Sequence, residues 1–178
     1  YPTKIRFVGK GSQGTVYQID EKRCVKIYVD RKYLKRELCH LQLGNTIGIC
    51  PKVFLWGEDY IVMEYFSSPS LLEYLKKNPL TKELAAKIIE LLDSFELIGF
   101  NRLDHALRHI YMIPDGKLKI IDVVNSIKSV PIPLPEQIMK GLGANAHVFL
   151  QFVQEISPKW YLRWTSHPDF PELMKKMK

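Results

Sequence analysis

A chain of 178 residues, 46% of them hydrophobic, is long and apolar enough to bury a sizeable core, which excludes a disordered segment. The formal net charge of +7 is spread along the chain. Its one local cluster, Arg31, Lys32, Lys35 and Arg36, reads as a solvated helix face, because no interleaved aromatics or reader motif accompany it; nucleic acid is not expected as a partner.

Residues 5–8, Ile-Arg-Phe-Val, read as a first strand. The glycines that follow, in Val8-Gly9-Lys10-Gly11-Ser12-Gln13-Gly14-Thr15-Val16-Tyr17, fit G-x-G-x-x-G. Two nucleotide devices share that pattern: a strand-to-helix turn that holds a dinucleotide pyrophosphate, and a hairpin tip that lies over ATP phosphates. Residues 15–19 are again β-branched and aromatic, with Asp20-Glu21-Lys22 as a turn, so the glycines join strand to strand. The helix that a dinucleotide site needs directly after the third glycine is missing.

A third strand is expected at Arg23–Tyr28, then a helix over 30–43 with Tyr33, Glu37 and Leu41 on one face and Gly44-Asn45 as its stop. Val53–Trp56 and residues 60–65 read as a hairpin through Gly57-Glu58-Asp59. Residues 67–70 read as a linker, and a short helix is expected over 71–77. A longer helix starts at the N-cap candidate Thr81 and stops at Gly99, with Leu84, Ile88, Leu91 and Phe95 as a core stripe. Residues 110–113 and 118–121 flank Pro114-Asp115-Gly116, a hairpin signal ending at Asp122. The proline-spaced stretch 130–135 breaks regular structure before one or two helices around 146–156 and 160–164. No apolar run is long enough to span a bilayer and no apolar leader is seen, so no membrane partner is expected. Cys24, Cys39 and Cys50 stand singly, which fits neither a disulfide framework nor a zinc site and points to a reducing cytoplasm.

The order of strand, glycine turn, strand, lysine-bearing strand and glutamate-bearing helix resembles the protein-kinase superfamily, over residues 5–125. The resemblance implies an α+β, bilobal fold. Residues 1–65 would form an N-lobe of five antiparallel strands and one helix, and residues 66–178 a reduced, mainly helical C-lobe. Gly9, Gly11, Gly14 and Val16 match the glycine-rich loop, with Lys10 and Ser12 inside it, so its backbone would lie over the phosphates of ATP and Val16 on the adenine. Cys24-Val25-Lys26 stands where the family has A-x-K: Lys26 would meet phosphate, Glu37 would be its ion-pair partner, and small Cys24 would face the base. Met63-Glu64-Tyr65 resembles the lobe connection that binds the adenine edge; as residues alone they read equally as an apolar strand end.

Asp104, His109 and Asp122 keep the family's spacing of catalytic Asp, metal-binding Asn and metal-binding Asp. The resemblance makes Asp104 the group that receives the hydroxyl proton and Asp122 the Mg²⁺ ligand. The chain also departs from the pattern. Arg102-Leu103-Asp104 replaces H-R-D, Ala106 stands where protein kinases carry a lysine, and Asp122-Val123-Val124 lacks the Phe-Gly of D-F-G. His109 replaces the Asn ligand, and imidazole suits Mn²⁺ or Zn²⁺ better than Mg²⁺. The stretch after Asp122 is short for an activation segment and a large helical platform. This is similar to small atypical, RIO-like kinases and to short kinase-like proteins of spore-forming bacteria. The implied activity is ATP-dependent transfer to a Ser or Thr hydroxyl of a protein. Nucleotide binding without turnover, as a pseudokinase that scaffolds a partner protein, stays open, as does a small-molecule phosphotransferase.

Overall fold

The computed structural model describes residues 4–177, and by compactness the chain divides into two units. Of the described residues, one holds 4–68 together with Lys119–Asn125; the other holds Pro69–Leu118 and 126–177.

In the first unit, alternating apolar runs fold into β1 (Arg6–Lys10), β2 (Gly14–Gln18), β3 (Arg23–Tyr28), β4 (Val53–Trp56) and β5 (Tyr60–Glu64). They form one antiparallel sheet in the order β1-β2-β3-β5-β4. Helix α1 (Arg31–Asn45) enters between β3 and β4. Asp30 caps it, its side chain accepting from the Lys32 amide at 2.8 Å. The helix ends at Asn45, as the Gly44-Asn45 pair led one to expect, but not through a left-handed Gly44. A Cβ there would come within 2.1 Å of Cys50 Sγ, so this glycine serves a close approach, and the left-handed turn falls instead on Gly48 at φ 74°. The buried face of α1 carries Leu34, Glu37, His40 and Leu41.

The second unit is mainly helical. Ser70 caps α2 (Leu71–Leu75), and Thr81 caps α3 (Lys82–Ile98), whose end is turned by Gly99 at φ 83°. The expected stripe Leu84, Ile88, Leu91 and Phe95 is buried. A 3-10 turn at Leu107–His109 leads into β6 (Ile110–Met112), which with β7 (Leu118–Ile120) makes the expected hairpin around Gly116 at φ 81°.

Residues 130–135 are irregular, as the prolines require. Four helices follow rather than one or two: α4 (Glu136–Leu142), α5 (Ala146–Ile156), α6 (Pro158–Thr165) and α7 (Phe170–Lys175). Helices α6 and α7 carry proline in the first turn, where the missing N–H is harmless. Helix α6 is fastened to α3 through Trp160, which is fully buried and donates from Nε1 to Asp93 at 2.8 Å. Lys159 and Arg163 lie over the same ring and both reach Glu96. Among the described residues, no helix is long and apolar enough to cross a membrane.

Candidate functional site

The glycine segment is a hairpin tip. Lys10 pairs with Thr15, the Gly11 amide donates to the Gly14 carbonyl at 2.9 Å, and the tip is tied back by the Val29 amide on the Gln13 carbonyl. The three glycines differ in what they do for the fold. A Cβ on Gly14 would meet the Ile27 carbonyl oxygen of β3 at 2.1 Å, whereas a Cβ on Gly9 or Gly11 would meet nothing within 4 Å. Neither of the latter has a positive φ. Gly14 is therefore required by the sheet, while at Gly9 and Gly11 the space that a Cβ would take is open. Gly14→Ala is expected to cost roughly 3 kcal/mol in chemical denaturation through that backbone clash. Gly11→Ala should stay within about 1 kcal/mol of the parent and show its effect on nucleotide affinity instead.

Strand register assembles the next layer. Gly9, Val16, Lys26 and Ile61 are paired in turn across β1, β2, β3 and β5, and Cys24 pairs with Met63 two residues along. Directly paired residues share a face, and alternate residues of one strand do too, so Val16, Cys24, Lys26, Tyr28 and Met63 project to one side. The expected base-contact and phosphate-contact residues thus lie on a common surface. Cys24 is buried there, and burial pushes its thiol up to about 12, so it is a small inert filler.

Lys26 Nζ lies 2.5 Å from Glu37 Oε2 and 3.4 Å from Asp122 Oδ1. Glu37 is 1% exposed, and the same oxygen also accepts from the Tyr28 hydroxyl at 2.7 Å. Burial, then the Glu37 charge, drives the Tyr28 phenol far above its ordinary range, so it remains a neutral donor. A buried carboxylate is tolerated when it is paired and hydrogen-bonded, and here one oxygen receives both contacts. Tyr28 was not singled out from the sequence. Its signal was available, since it follows Lys26 by two residues in a strand.

Asp122 has φ 57°, and among the described residues it is the only non-glycine at positive φ. Its side chain is 38% exposed beside Lys26. Strain of this kind persists where surrounding contacts overdetermine it and is often found at functional positions. The chain before it is tied by the Ile120 amide on the Ile49 carbonyl at 2.8 Å, and the chain after it by His40 Nδ1 on the Val123 carbonyl at 2.6 Å.

At the end of β5 the Glu64 amide donates to the Lys52 carbonyl and the Tyr65 amide to the Lys22 carbonyl, both at 2.8 Å. Each amide is already engaged by a backbone carbonyl. The Glu64 carboxylate accepts from Lys119 Nζ at 2.8 Å, and its carbonyl faces the Cys24 thiol at 3.8 Å.

Asp104 and His109 belong to the second unit. Asp104 Oδ1 accepts from the Gln137 amide at 2.5 Å, in the first turn of α4, which has no side-chain cap of its own. The candidate base is therefore also the anchor of a helix N-terminus. Burial pushes the Asp104 carboxyl above its ordinary value, against the opposing pull of the Gln137 amide and the Arg102 charge. Its loop is pinned to the segment after residue 125: the Asn101 and Arg102 amides donate to the Ser126 carbonyl, the Leu103 amide to the Ile132 carbonyl, and Asn101 exchanges bonds with the Lys128 backbone. These contacts, absent from the sequence reading, hold the loop in place. His109 ends the 3-10 turn, its amide on the Ala106 carbonyl at 2.9 Å.

Among the described residues, no group of three or more His, Cys, Asp or Glu side chains could hold a metal by itself. Mg²⁺ does not need one, because it takes one or two carboxylates and fills its octahedron with waters and phosphate oxygens. The exposed Asp122 carboxylate, the ammonium beside it and the open space over Gly9 and Gly11 are compatible with a metal-bound nucleotide.

Two comparisons complete the description of this site. No family model matches the chain. The chain is similar to a Bacillus subtilis (strain 168) protein named "Putative serine/threonine-protein kinase YrzF", with 23% identity over 127 residues, 67% of this chain and 59% of that protein. The likeness is distant, covers little more than half of the relative, and hints at a kinase-like family without fixing membership.

Proposed function

We propose that this chain is a minimal, protein-kinase-like phosphotransferase that uses ATP to modify a Ser or Thr hydroxyl of a protein, its own included. One observation carries the reading: the Lys26 ammonium held 2.5 Å from buried Glu37 and 3.4 Å from Asp122, on a sheet whose glycine tip has open space at Gly9 and Gly11. An ammonium has three N–H donors, and the two carboxylates occupy two, so one remains for a phosphate oxygen. The distant likeness to a protein with a kinase name supports the same class.

In the proposed reaction the hydroxyl oxygen bonds to the γ-phosphorus, the bond to the β–γ bridging oxygen breaks, and ADP departs. Asp104 receives the hydroxyl proton, for which its raised proton affinity suits it. Lys26 offsets phosphate charge, Glu37 holds the flexible lysine stem, and Asp122 offers its carboxylate to the divalent ion. When bound, Mg²⁺ would supply positive charge to the β- and γ-phosphate oxygens. We place the activity in the cytoplasm, where Cys24, Cys39 and Cys50, all free thiols, stay reduced.

A second reading, nucleotide binding without transfer, is favoured by two features: Asp104 is engaged by the α4 N-terminus, and Ala106, two residues on, cannot act as the family's lysine does. The two readings separate in one set of tubes. Thermal shift is measured with ATP alone, with Mg²⁺ and with Mn²⁺, and labelled-phosphate transfer to the chain itself and to a generic acceptor protein is then scored. Metal-dependent binding with transfer that Asp122→Ala abolishes is the expected result. Binding without transfer gives the second reading, and transfer undiminished in Asp122→Ala overturns the assignment.

A further inference from the structure

We propose that His40 is the positioning residue that holds Asp122 in its metal-binding conformation; this rests on the nucleotide reading above. The family pattern places Phe-Gly after the metal-binding aspartate, and this chain has Val123-Val124, without a glycine to ease a left-handed turn. Yet Asp122 sits at φ 57°, a conformation that its own Cβ disfavours and that surrounding contacts must hold.

The support comes from α1. His40 is 6% exposed and lies three residues after Glu37 on the same buried helix face. Its Nδ1 is 2.6 Å from the Val123 carbonyl oxygen. A carbonyl only accepts, so Nδ1 carries the proton and donates. Val123 and Val124 are 0% and 1% exposed, which leaves that peptide no solvent to replace a lost donor. On the other side of Asp122 the Ile120 amide is held by the Ile49 carbonyl. The aspartate is thus strung between two fixed backbone points, one of them supplied by a histidine side chain. Helix α1 thereby serves both poles of the site, gripping Lys26 through Glu37 and the Asp122 turn through His40.

The test uses the full chain with His40→Phe, which keeps bulk without a donor, and His40→Asn, whose amide N–H can reach the same carbonyl. ATP affinity is measured by calorimetry in EDTA and in excess Mn²⁺, and amide hydrogen exchange is followed over residues 119–125. In His40→Phe the Mn²⁺-dependent gain in ATP affinity should fall about tenfold, as loss of one buried hydrogen bond implies. Affinity in EDTA should hold, exchange at 123–125 should rise while β1–β3 stays protected, and His40→Asn should recover most of the gain. An unchanged Mn²⁺ gain and unchanged exchange overturn the role of His40 alone, and so does an equal loss of affinity in both buffers, which would mark a merely structural residue. A parent chain that binds no ATP in either buffer overturns the function proposed above and this role with it.

Discussion

Glu37→Ala is expected to lower stability by about 3–5 kcal/mol and to remove metal-dependent nucleotide binding. The carboxylate is 1% exposed and one of its oxygens serves two donors, Lys26 at 2.5 Å and Tyr28 at 2.7 Å. Its loss strands a buried phenol hydroxyl and leaves a nearly buried ammonium with only Asp122, at 3.4 Å. Breaking one side of such a pair costs far more than the pair itself contributes, because the remaining charge stays out of water. For a domain of this size the thermal midpoint should drop by about 10 °C. Glu37→Gln, which keeps an acceptor, should fall between parent and alanine variant. The loss should also persist at high salt, since a buried pair is weakly screened, unlike the exposed Lys82–Glu155 and Lys76–Glu73 pairs. A midpoint shift of less than 2 °C in Glu37→Ala would show that the pair is not the keystone of this unit.

The residues that could be read from the sequence are those whose places are fixed by local periods. Strand and helix periods placed Lys26 on a strand and Glu37 on a helix face, the kinase resemblance implied that they pair, and two β-branched runs around the glycines were enough to separate a hairpin tip from a helix cap. The five antiparallel strands and α1 follow from the same periods and are present. Tyr28 and His40 obey those periods as well, at two residues from Lys26 and three from Glu37. They were passed over because a tyrosine in a strand and a histidine on a helix face are ordinary core residues until a partner is seen.

Other features depend on contacts between distant segments. The bond from the Gln137 amide to Asp104 joins residues 33 apart and decides where α4 begins, directly after a proline-spaced stretch that argues against helix. The positive φ of Asp122 likewise lies between bonds made to distant residues, Ile120 to Ile49 and Val123 to His40. Gly14 and Gly44 show the same limit at single positions. Both looked like turn residues, and each is glycine because another segment passes too close for a Cβ.

Asp104→Asn should reduce phosphate transfer by about 10²–10⁴-fold, the contribution expected of a positioned base, while leaving the fold at least as stable as the parent at neutral pH. The amide oxygen of Asn can still accept from the Gln137 amide and anchor α4, so the structural task survives. What disappears is a carboxylate whose charge burial disfavours, raising its proton affinity above the ordinary value of 3.8. The pH dependence follows from that direction. A carboxyl raised in the folded state adds stability that is fully present below its unfolded value and lost as pH rises through its folded one. The asparagine variant should therefore match or exceed the parent in thermal midpoint at neutral pH and lose that advantage as the solution is acidified through the raised value. Transfer by the parent should decline over the same acid window, because only the ionised carboxylate can take the hydroxyl proton, and the residual rate of the variant should lack that limb. A variant that keeps full transfer removes Asp104 from the chemistry and leaves it as the cap of α4. One that loses both transfer and several degrees of midpoint means that the charge itself, and not merely an acceptor, holds the helix.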